Sequence, residues 1–123
     1  MNIEDFSSLK AFKVSVDENS VAEISLNRPD AINSMNGDFW QELPAIVQTL
    51  DEQSTARVII LSSVGKHFTA GMDLSVLSNL GSDPEVEPAR AAEKLRRWIL
   101  GLQDTFTALE KARMPVIAAT QGA

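Results

Sequence analysis

Apolar and polar residues alternate along this chain with two different periods, which predicts a succession of strands and helices. Residues 21–26 are the clearest strand, because apolar side chains at 22, 24 and 26 alternate with polar ones at 23 and 25. Residues 11–16 precede it across the polar turn at 17–20, so the two segments predict a hairpin. Residues 57–63 are rich in β-branched side chains and apolar on both faces, which predicts a central strand. A short fourth strand is predicted at residues 116–119.

Two segments between these strands have helical periodicity. Asn36 has a side chain suited to an N-cap, and apolar residues recur after it at helical spacing as far as Gln53. Pro44 lies inside this helix, where it removes a donor and clashes with the preceding turn, so a kink or a break is expected there. A second, short helix is predicted from Asp73 to Leu80.

A long helix is predicted before the last strand. Pro88 suits its first turn, and an apolar stripe extends it to about 22–25 residues before Pro115 ends it. The stripe consists of Ala91, Leu95, Trp98, Ile99, Leu102, Phe106 and Leu109. Core packing is the expected role of the aromatic residues on the helical stripes, Phe39, Trp40, Trp98 and Phe106; Trp98 has a second interpretation, as a wall of an acyl pocket.

The predicted order, β-β-α-β-α-α-β, is typical of an α/β fold with crossover helices. Residues 1–123 are enough for one domain with a modest core. The last strand is followed by no element that would cover its apolar face. We therefore expect this chain to be the N-terminal part of a single, longer domain.

Composition excludes several classes of function. The formal net charge of −6 argues against nucleic acid as the main partner. No apolar run approaches the ~20 residues of a membrane span, and the acidic N-terminus has no apolar core of a secretory signal. The absence of cysteine excludes disulfides, thiolate metal sites and cysteine nucleophiles. The basic cluster Arg90, Lys94, Arg96 and Arg97 has two interpretations, a solvated helix face or a landing patch for an anion.

The turn Ala70-Gly71-Met72 carries the strongest chemical signal. Glycine allows a backbone conformation closed to other residues and a close approach of a ligand. The Met72 N–H, at the start of the predicted helix, is expected to lack a partner within that helix. Such a donor stabilises a carbonyl oxygen that becomes negative during a reaction, and Asp73 is expected to cap the helix. On the residues alone, an ordinary strand-to-helix turn remains the alternative.

Three segments, "NRPDAINSM", "GKHFTAGMDL" and "PVIAATQGA", occur in this order. Together they resemble the crotonase (enoyl-CoA hydratase/isomerase) superfamily, from about Val14 to Ala123. Phe39-Trp40 and the leucine after Asp73 are most similar to its Δ3,5-Δ2,4-dienoyl-CoA isomerase branch. The resemblance implies the N-terminal, incomplete part of a crotonase-like (ClpP/crotonase) ββα-superhelix core.

The resemblance also implies roles for individual residues. The Met72 backbone N–H would form the first half of an oxyanion hole. The loop at residues 28–32 would approach the CoA nucleotide, with Arg28 and Lys66 as candidates for its phosphates or, alternatively, as solvated surface charges. His67, the single histidine, is interpreted as a loop residue and not as a base. The implied acyl-CoA site is lined by Ala70, Gly71, Met72, Asp73, Leu74, Arg28, Ala31 and Lys66.

The implied activity is an acyl-CoA isomerase that shifts double bonds in a dienoyl-CoA through a stabilised enolate, or an enoyl-CoA hydratase. A non-catalytic CoA-binding or interaction module is the alternative from another class. The resemblance implies no metal or redox cofactor, with coenzyme A as part of the substrate. It places the second oxyanion donor and the catalytic carboxylates beyond Ala123, so these 123 residues alone are expected to be inactive.

The resemblance further implies a homotrimer or dimer of trimers, without nucleic-acid or membrane partners. The implied location is cytoplasmic in a bacterium, and mitochondrial or peroxisomal in a eukaryote.

Overall fold

The computed structural model describes residues 1–78, 80 and 84–122. Its elements follow the predicted order: β1 (Phe12–Val16), β2 (Val21–Leu26), α1 (Gly37–Glu52), β3 (Val58–Ser63), α2 (Leu74–Ser78), α3 (Pro88–Lys111) and β4 (Val116–Ala118). Two 3-10 helices, Ile3–Ser8 and Pro29–Ala31, were not predicted. The predicted second helix included Asn79, which lies outside the described residues, as does the terminal Ala123.

The four strands form one mixed sheet in the order β1-β2-β3-β4. The hairpin of β1 and β2 is antiparallel, whereas β2, β3 and β4 run parallel, with Ile59 opposite both Ala22 and Val116. The predicted central position of β3 is confirmed. Only Ile59 of β3 is buried, however, because one face of the strand is not covered within the described residues. The parallel strands end at one edge, so the loops that follow them meet there.

Helix α1 covers the sheet and supplies much of the core. Its predicted N-cap is confirmed, since the Asn36 side chain accepts a hydrogen bond from the Phe39 N–H at 3.1 Å. Of the kink or break predicted at Pro44, the break is wrong, because α1 continues from Gly37 to Glu52. Leu43 and Ile46, on either side of the proline, are fully buried. Burial of such side chains contributes about 1.5–3 kcal/mol each, which offsets the ~3 kcal/mol cost of an internal proline.

The bounds of α3 match the prediction, but no residue of its apolar stripe is fully buried, and three of the seven are exposed. Leu95, Ile99 and Phe106 are 42%, 41% and 45% exposed. Only the C-terminal part of the helix reaches the core, through the buried Thr105 and the partly buried residues 108 and 109. Phe106 contacts the rings of Phe39 and Trp40 but is 45% exposed, so its predicted core role holds only in part. Periodicity identifies an apolar stripe but does not identify the surface that covers it.

The other aromatic residues differ in burial. Phe39 is buried, and Trp40 packs partly buried against the core. Their rings and that of Phe106 form edge-to-face or tilted contacts with centroids 5.0–6.4 Å apart, an arrangement that stabilises aromatic pairs. Trp98 is half-buried. Among the helices described, none is long and apolar enough to cross a bilayer.

Candidate functional site

Three loops converge where the parallel strands end. They are residues 27–36 after β2, 64–73 after β3 and 119–122 after β4. Backbone hydrogen bonds join them: Phe68 N–H donates to the Gln121 carbonyl at 2.8 Å, and Ala70 N–H donates to the Ile32 carbonyl at 2.9 Å. In open α/β sheets, ligands bind at the carboxyl edge of parallel strands. The predicted site residues therefore lie at the edge where the fold favours binding.

Asn33 connects these loops from the inside. Its side chain is only 2% exposed, and its backbone is left-handed, with φ of 51°. The amide oxygen accepts a hydrogen bond from the backbone N–H of Arg28 at 2.8 Å. The amide nitrogen donates to the carbonyls of Val64 and His67 at 2.8 and 3.1 Å. A buried amide with its donors and acceptor paired rigidifies its surroundings. Asn33 thus holds the loops after β2 and β3 in one arrangement.

A single parallel bridge between Met35 and Met72 positions the candidate donor. The Met35 N–H donates to the Gly71 carbonyl at 2.8 Å, and the Asp73 N–H donates to the Met35 carbonyl at 3.0 Å. Because a trans peptide is planar, the Met72 N–H points opposite to the Gly71 carbonyl that shares its peptide unit. The Met72 N–H is therefore directed away from Met35, and it donates to no atom of the described residues.

This geometry corrects the expected reason why the Met72 N–H is unpaired. The prediction placed it at the start of the following helix, but α2 begins two residues later, at Leu74. A helix of five residues also has a weak macrodipole, since few peptide dipoles add along it. Among the described residues the donor is unpaired because the bridge directs it away from Met35, where no other acceptor lies within reach. The direction of the N–H is set by a long-range contact and not by the helix.

Gly71 has the left-handed backbone conformation that was expected of the glycine in this turn. Its φ is +89°, a region that side chains with a Cβ rarely adopt. A Cβ built at this position meets no atom within 4 Å, so the requirement comes from the backbone conformation and not from lack of space. The Gly71 N–H donates to the Thr69 hydroxyl at 3.1 Å. Its carbonyl is held by Met35, so both sides of the glycine are anchored.

Asp73 has the capping role that was expected of it. One carboxylate oxygen accepts a hydrogen bond from the backbone N–H of Ser75 at 2.9 Å. The other accepts hydrogen bonds from the Ser34 hydroxyl at 3.1 Å and from the Arg28 guanidinium at 3.3 Å. The hydroxyl and the backbone N–H of Ser75 are the main causes that lower the pKa of Asp73 from 3.8 to about 2, with smaller contributions from Ser34 and Arg28. At neutral pH Asp73 is therefore ionised. It accepts hydrogen bonds, and it is a weak base.

The low pKa of Asp73 predicts a dependence of stability on acid. Because the folded-state pKa lies below the ordinary value, ionised Asp73 stabilises the fold above pH 3.8, and this contribution is lost as pH falls towards 2. Asp73→Asn should therefore be less stable than the unmodified chain at neutral pH, and this difference in stability should shrink as the pH falls from 3.8 towards 2. Urea unfolding above pH 3.8 and again near pH 2 measures the effect. Asp104→Asn, on the exposed face of α3, is the control, and an Asp73 difference that does not change with pH would contradict the assignment.

The remaining predicted residues differ in their surroundings. Arg28 is 25% exposed, and one of its nitrogens also donates to the Ser34 carbonyl at 2.6 Å, so this guanidinium is engaged inside the site. Lys66 is exposed and forms no salt bridge within the described residues. Ala31 ends a 3-10 helix and is half-buried. Ala70 is exposed, and Leu74 is 78% exposed.

Two structural residues of the site were not predicted. Asn33 could have been identified, because asparagine tolerates left-handed backbone better than most residues. Gln121 could not, since its contacts are long-range: its amide nitrogen donates to the Ser63 hydroxyl at 2.8 Å and to the Gly65 carbonyl at 3.2 Å. Across the described ranges, no group of three or more metal-ligating side chains is close enough to hold a metal ion.

Comparison with known proteins identifies the family of this chain. The model of the enoyl-CoA hydratase/isomerase family matches residues 16–123. The peroxisomal Delta(3,5)-Delta(2,4)-dienoyl-CoA isomerase of Arabidopsis thaliana is 38% identical over 100% of this chain and 45% of its own length. The mitochondrial Delta(3,5)-Delta(2,4)-dienoyl-CoA isomerase of Rattus norvegicus is 39% identical over 92% of this chain and 35% of its own length.

Solved structures give the same result for the fold. An enoyl-CoA hydratase/isomerase from Mycobacterium paratuberculosis is 31% identical with a TM-score of 0.72, covering 91% of this chain and 41% of that one. An enoyl-CoA hydratase from Mycobacterium smegmatis is 27% identical with a TM-score of 0.73, covering 92% and 40%. This chain spans less than half the length of these relatives, over their N-terminal part. The predicted crotonase-like fold is confirmed over that part, and the chain belongs to the enoyl-CoA hydratase/isomerase family.

Proposed function

We propose that this chain supplies the acyl-CoA-binding part of an enoyl-CoA hydratase/isomerase site, in which the Met72 N–H donates to the thioester carbonyl oxygen. The observation that carries the proposal is the orientation of this N–H. It is unpaired among the described residues and directed away from Met35 by two backbone hydrogen bonds, of 2.8 and 3.0 Å. A donor oriented before the ligand arrives costs no reorganisation when charge develops on its acceptor.

The reaction proposed for the whole protein is a shift of double bonds in a dienoyl-CoA. Removal of a proton from the acyl chain leaves an enolate, whose negative charge lies largely on the thioester oxygen. The Met72 N–H stabilises this charge, and loss of one such donor typically costs ~2.7–4 kcal/mol in transition-state stabilisation. The reaction moves protons and changes no oxidation state, so it needs no redox cofactor. We propose that backbone donors, and not a metal ion, stabilise the enolate, and that coenzyme A belongs to the substrate. Hydration of an enoyl-CoA would use the same donor.

The CoA portion is proposed to lie along the outer side of this turn. Ala70 and Leu74 are exposed and apolar, and they offer a surface for the pantetheine and adenine groups. Of the two cationic candidates, Lys66 is the better partner for a phosphate, since it is exposed. Arg28 is already paired with Asp73, and its role is to hold the loop that carries Ala31. For the whole protein we propose a homotrimer or dimer of trimers, located in a mitochondrion, peroxisome or bacterial cytoplasm.

The 123 residues alone are expected to bind an acyl-CoA without converting it. Asp73 is the carboxylate that the structure places at this turn, and its pKa of about 2 makes it a poor proton acceptor at neutral pH. A spectrophotometric assay with dienoyl-CoA and enoyl-CoA should therefore show no turnover above the uncatalysed rate. Isomerisation or hydration at a rate typical of enzymes would contradict this division between binding and proton transfer.

Calorimetric titration of the chain with octanoyl-CoA tests the proposed site. We expect saturable binding that is weakened by Leu74→Asp, which places a negative charge on the apolar surface proposed for the CoA portion. Leu95→Asp is the matched control, because Leu95 is exposed on α3, outside the three loops. Absence of binding at millimolar octanoyl-CoA, or equal weakening by the two variants, would contradict the site.

A further inference from the structure

We infer that Thr69 is a positioning residue, whose hydroxyl holds Gly71 in the conformation that directs the Met72 N–H towards the ligand; this inference rests on the function proposed above. The hydroxyl forms two hydrogen bonds at once. It donates to the Asn33 carbonyl at 2.6 Å and accepts the Gly71 N–H at 3.1 Å. The Thr69 hydroxyl therefore connects the buried Asn33 to Gly71 in the turn.

The two backbone torsions of Gly71 determine where the Met72 N–H points. The torsion φ turns the peptide unit that contains the Gly71 N–H, and ψ turns the unit that contains the Gly71 carbonyl and the Met72 N–H. Thr69 holds the first unit, and the Met35 N–H holds the second at 2.8 Å. Glycine has the greatest backbone freedom of all residues. One hydrogen bond on each side of Gly71 therefore restricts the Met72 N–H to one direction.

The Thr69 side chain suits this role because it is itself restrained. A β-branched residue has few accessible χ1 rotamers, and Thr69 is half-buried at the convergence of the loops. The residue whose carbonyl accepts from it, Asn33, is 2% exposed and held by its own side-chain hydrogen bonds. The hydroxyl thus has a fixed position from which to orient Gly71. Serine would retain both hydrogen bonds, whereas valine would retain the shape and lose both.

Amide hydrogen exchange of the ligand-free chain, followed by NMR, tests the anchor directly. In Thr69→Val the Gly71 N–H should exchange about three- to tenfold faster, the effect of losing one neutral hydrogen bond. Thr69→Ser should restore the slow rate. Thr107→Val is the control, because the Thr107 hydroxyl donates to the Gln103 carbonyl at 3.1 Å within α3. An unchanged Gly71 rate in Thr69→Val, or an equal acceleration in Thr69→Ser, would overturn the inference.

A second set of measurements separates this inference from the proposed function. Octanoyl-CoA should shift the Met72 amide resonance in the unmodified chain and in Thr69→Ser, and shift it less in Thr69→Val. If the unmodified chain shows no shift, the proposed function fails, while the ligand-free exchange rates still decide whether Thr69 anchors Gly71. If Thr69→Val does not fold, the temperature coefficient of the Gly71 amide in the unmodified chain decides. A small coefficient supports the hydrogen bond, and a solvent-like one overturns it.

Discussion

Gly71→Ala is expected to weaken octanoyl-CoA binding by about 5- to 150-fold, because alanine is strained at the φ of +89° that the turn adopts. The alanine either keeps this conformation at a cost of about 1–3 kcal/mol or relaxes to a negative φ. Relaxation turns the peptide unit that contains the Met72 N–H away from its present direction. The strain destabilises the binding conformation, and the relaxation removes the donor from the position proposed for the thioester oxygen.

Gly37→Ala is a closely matched control for this prediction. At both glycines an added Cβ meets no atom within 4 Å, but Gly37 starts α1 without a positive φ. The two substitutions therefore add the same methyl group to open space and differ in backbone conformation. Calorimetry should show unchanged affinity for Gly37→Ala. An affinity of Gly71→Ala equal to that of the unmodified chain would show that the conformation of Gly71 does not determine binding.

Removal of the Asn33 side chain is expected to have the largest effect on stability. In Asn33→Ala the Arg28 N–H and the Val64 carbonyl lose their partner, whereas the His67 carbonyl retains the Ser63 hydroxyl at 3.2 Å. A fully buried polar group left unpaired costs about 1–3 kcal/mol. Because these two groups are only partly buried, we expect the free energy of unfolding to fall by about 2 kcal/mol. Urea denaturation measures this change.

Two further variants isolate the hydrogen bonds from the backbone effect. Asn33→Gly tolerates the φ of 51° without strain, so it should lose nearly as much stability as Asn33→Ala if the side-chain amide is what matters. Asn19→Ala removes an exposed asparagine from the hairpin turn and should change stability by less than about 0.5 kcal/mol. The account of Asn33 would be wrong if Asn33→Gly were as stable as the unmodified chain.

Local patterns were sufficient to predict most of the fold. The predicted bounds of β2 are those observed, and the 24 residues of α3 fall within the predicted length. Alternation and helical spacing depend on neighbouring residues, and these can be read directly from the chain. The failures concern tertiary contacts. The continuity of α1 at Pro44 depends on packing against the sheet, and the exposure of Leu95 depends on which surface lies opposite.

The site divides in the same way. Gly71 and the cap at Asp73 were predictable, because each follows from local backbone chemistry. The bridge from Met35 to Met72 and the ion pair of Arg28 with Asp73 were not, since each joins segments distant in the sequence. These contacts change the interpretation of the site. The bridge explains the direction of the Met72 N–H, and the ion pair supports the proposal that Arg28 holds the loop.

The most direct test of the Met72 donor is an NMR titration of its amide with two ligands that differ only at the thioester carbonyl group. Octanoyl-CoA carries the thioester carbonyl oxygen, whereas octyl-CoA, a thioether, has two hydrogens in its place and keeps the same CoA and alkyl groups. A hydrogen bond to the carbonyl oxygen should move the Met72 amide proton downfield with octanoyl-CoA and leave it nearly unmoved with octyl-CoA. Equal shifts with the two ligands, or no shift with octanoyl-CoA at saturation, would contradict the proposal that the Met72 N–H is an oxyanion donor.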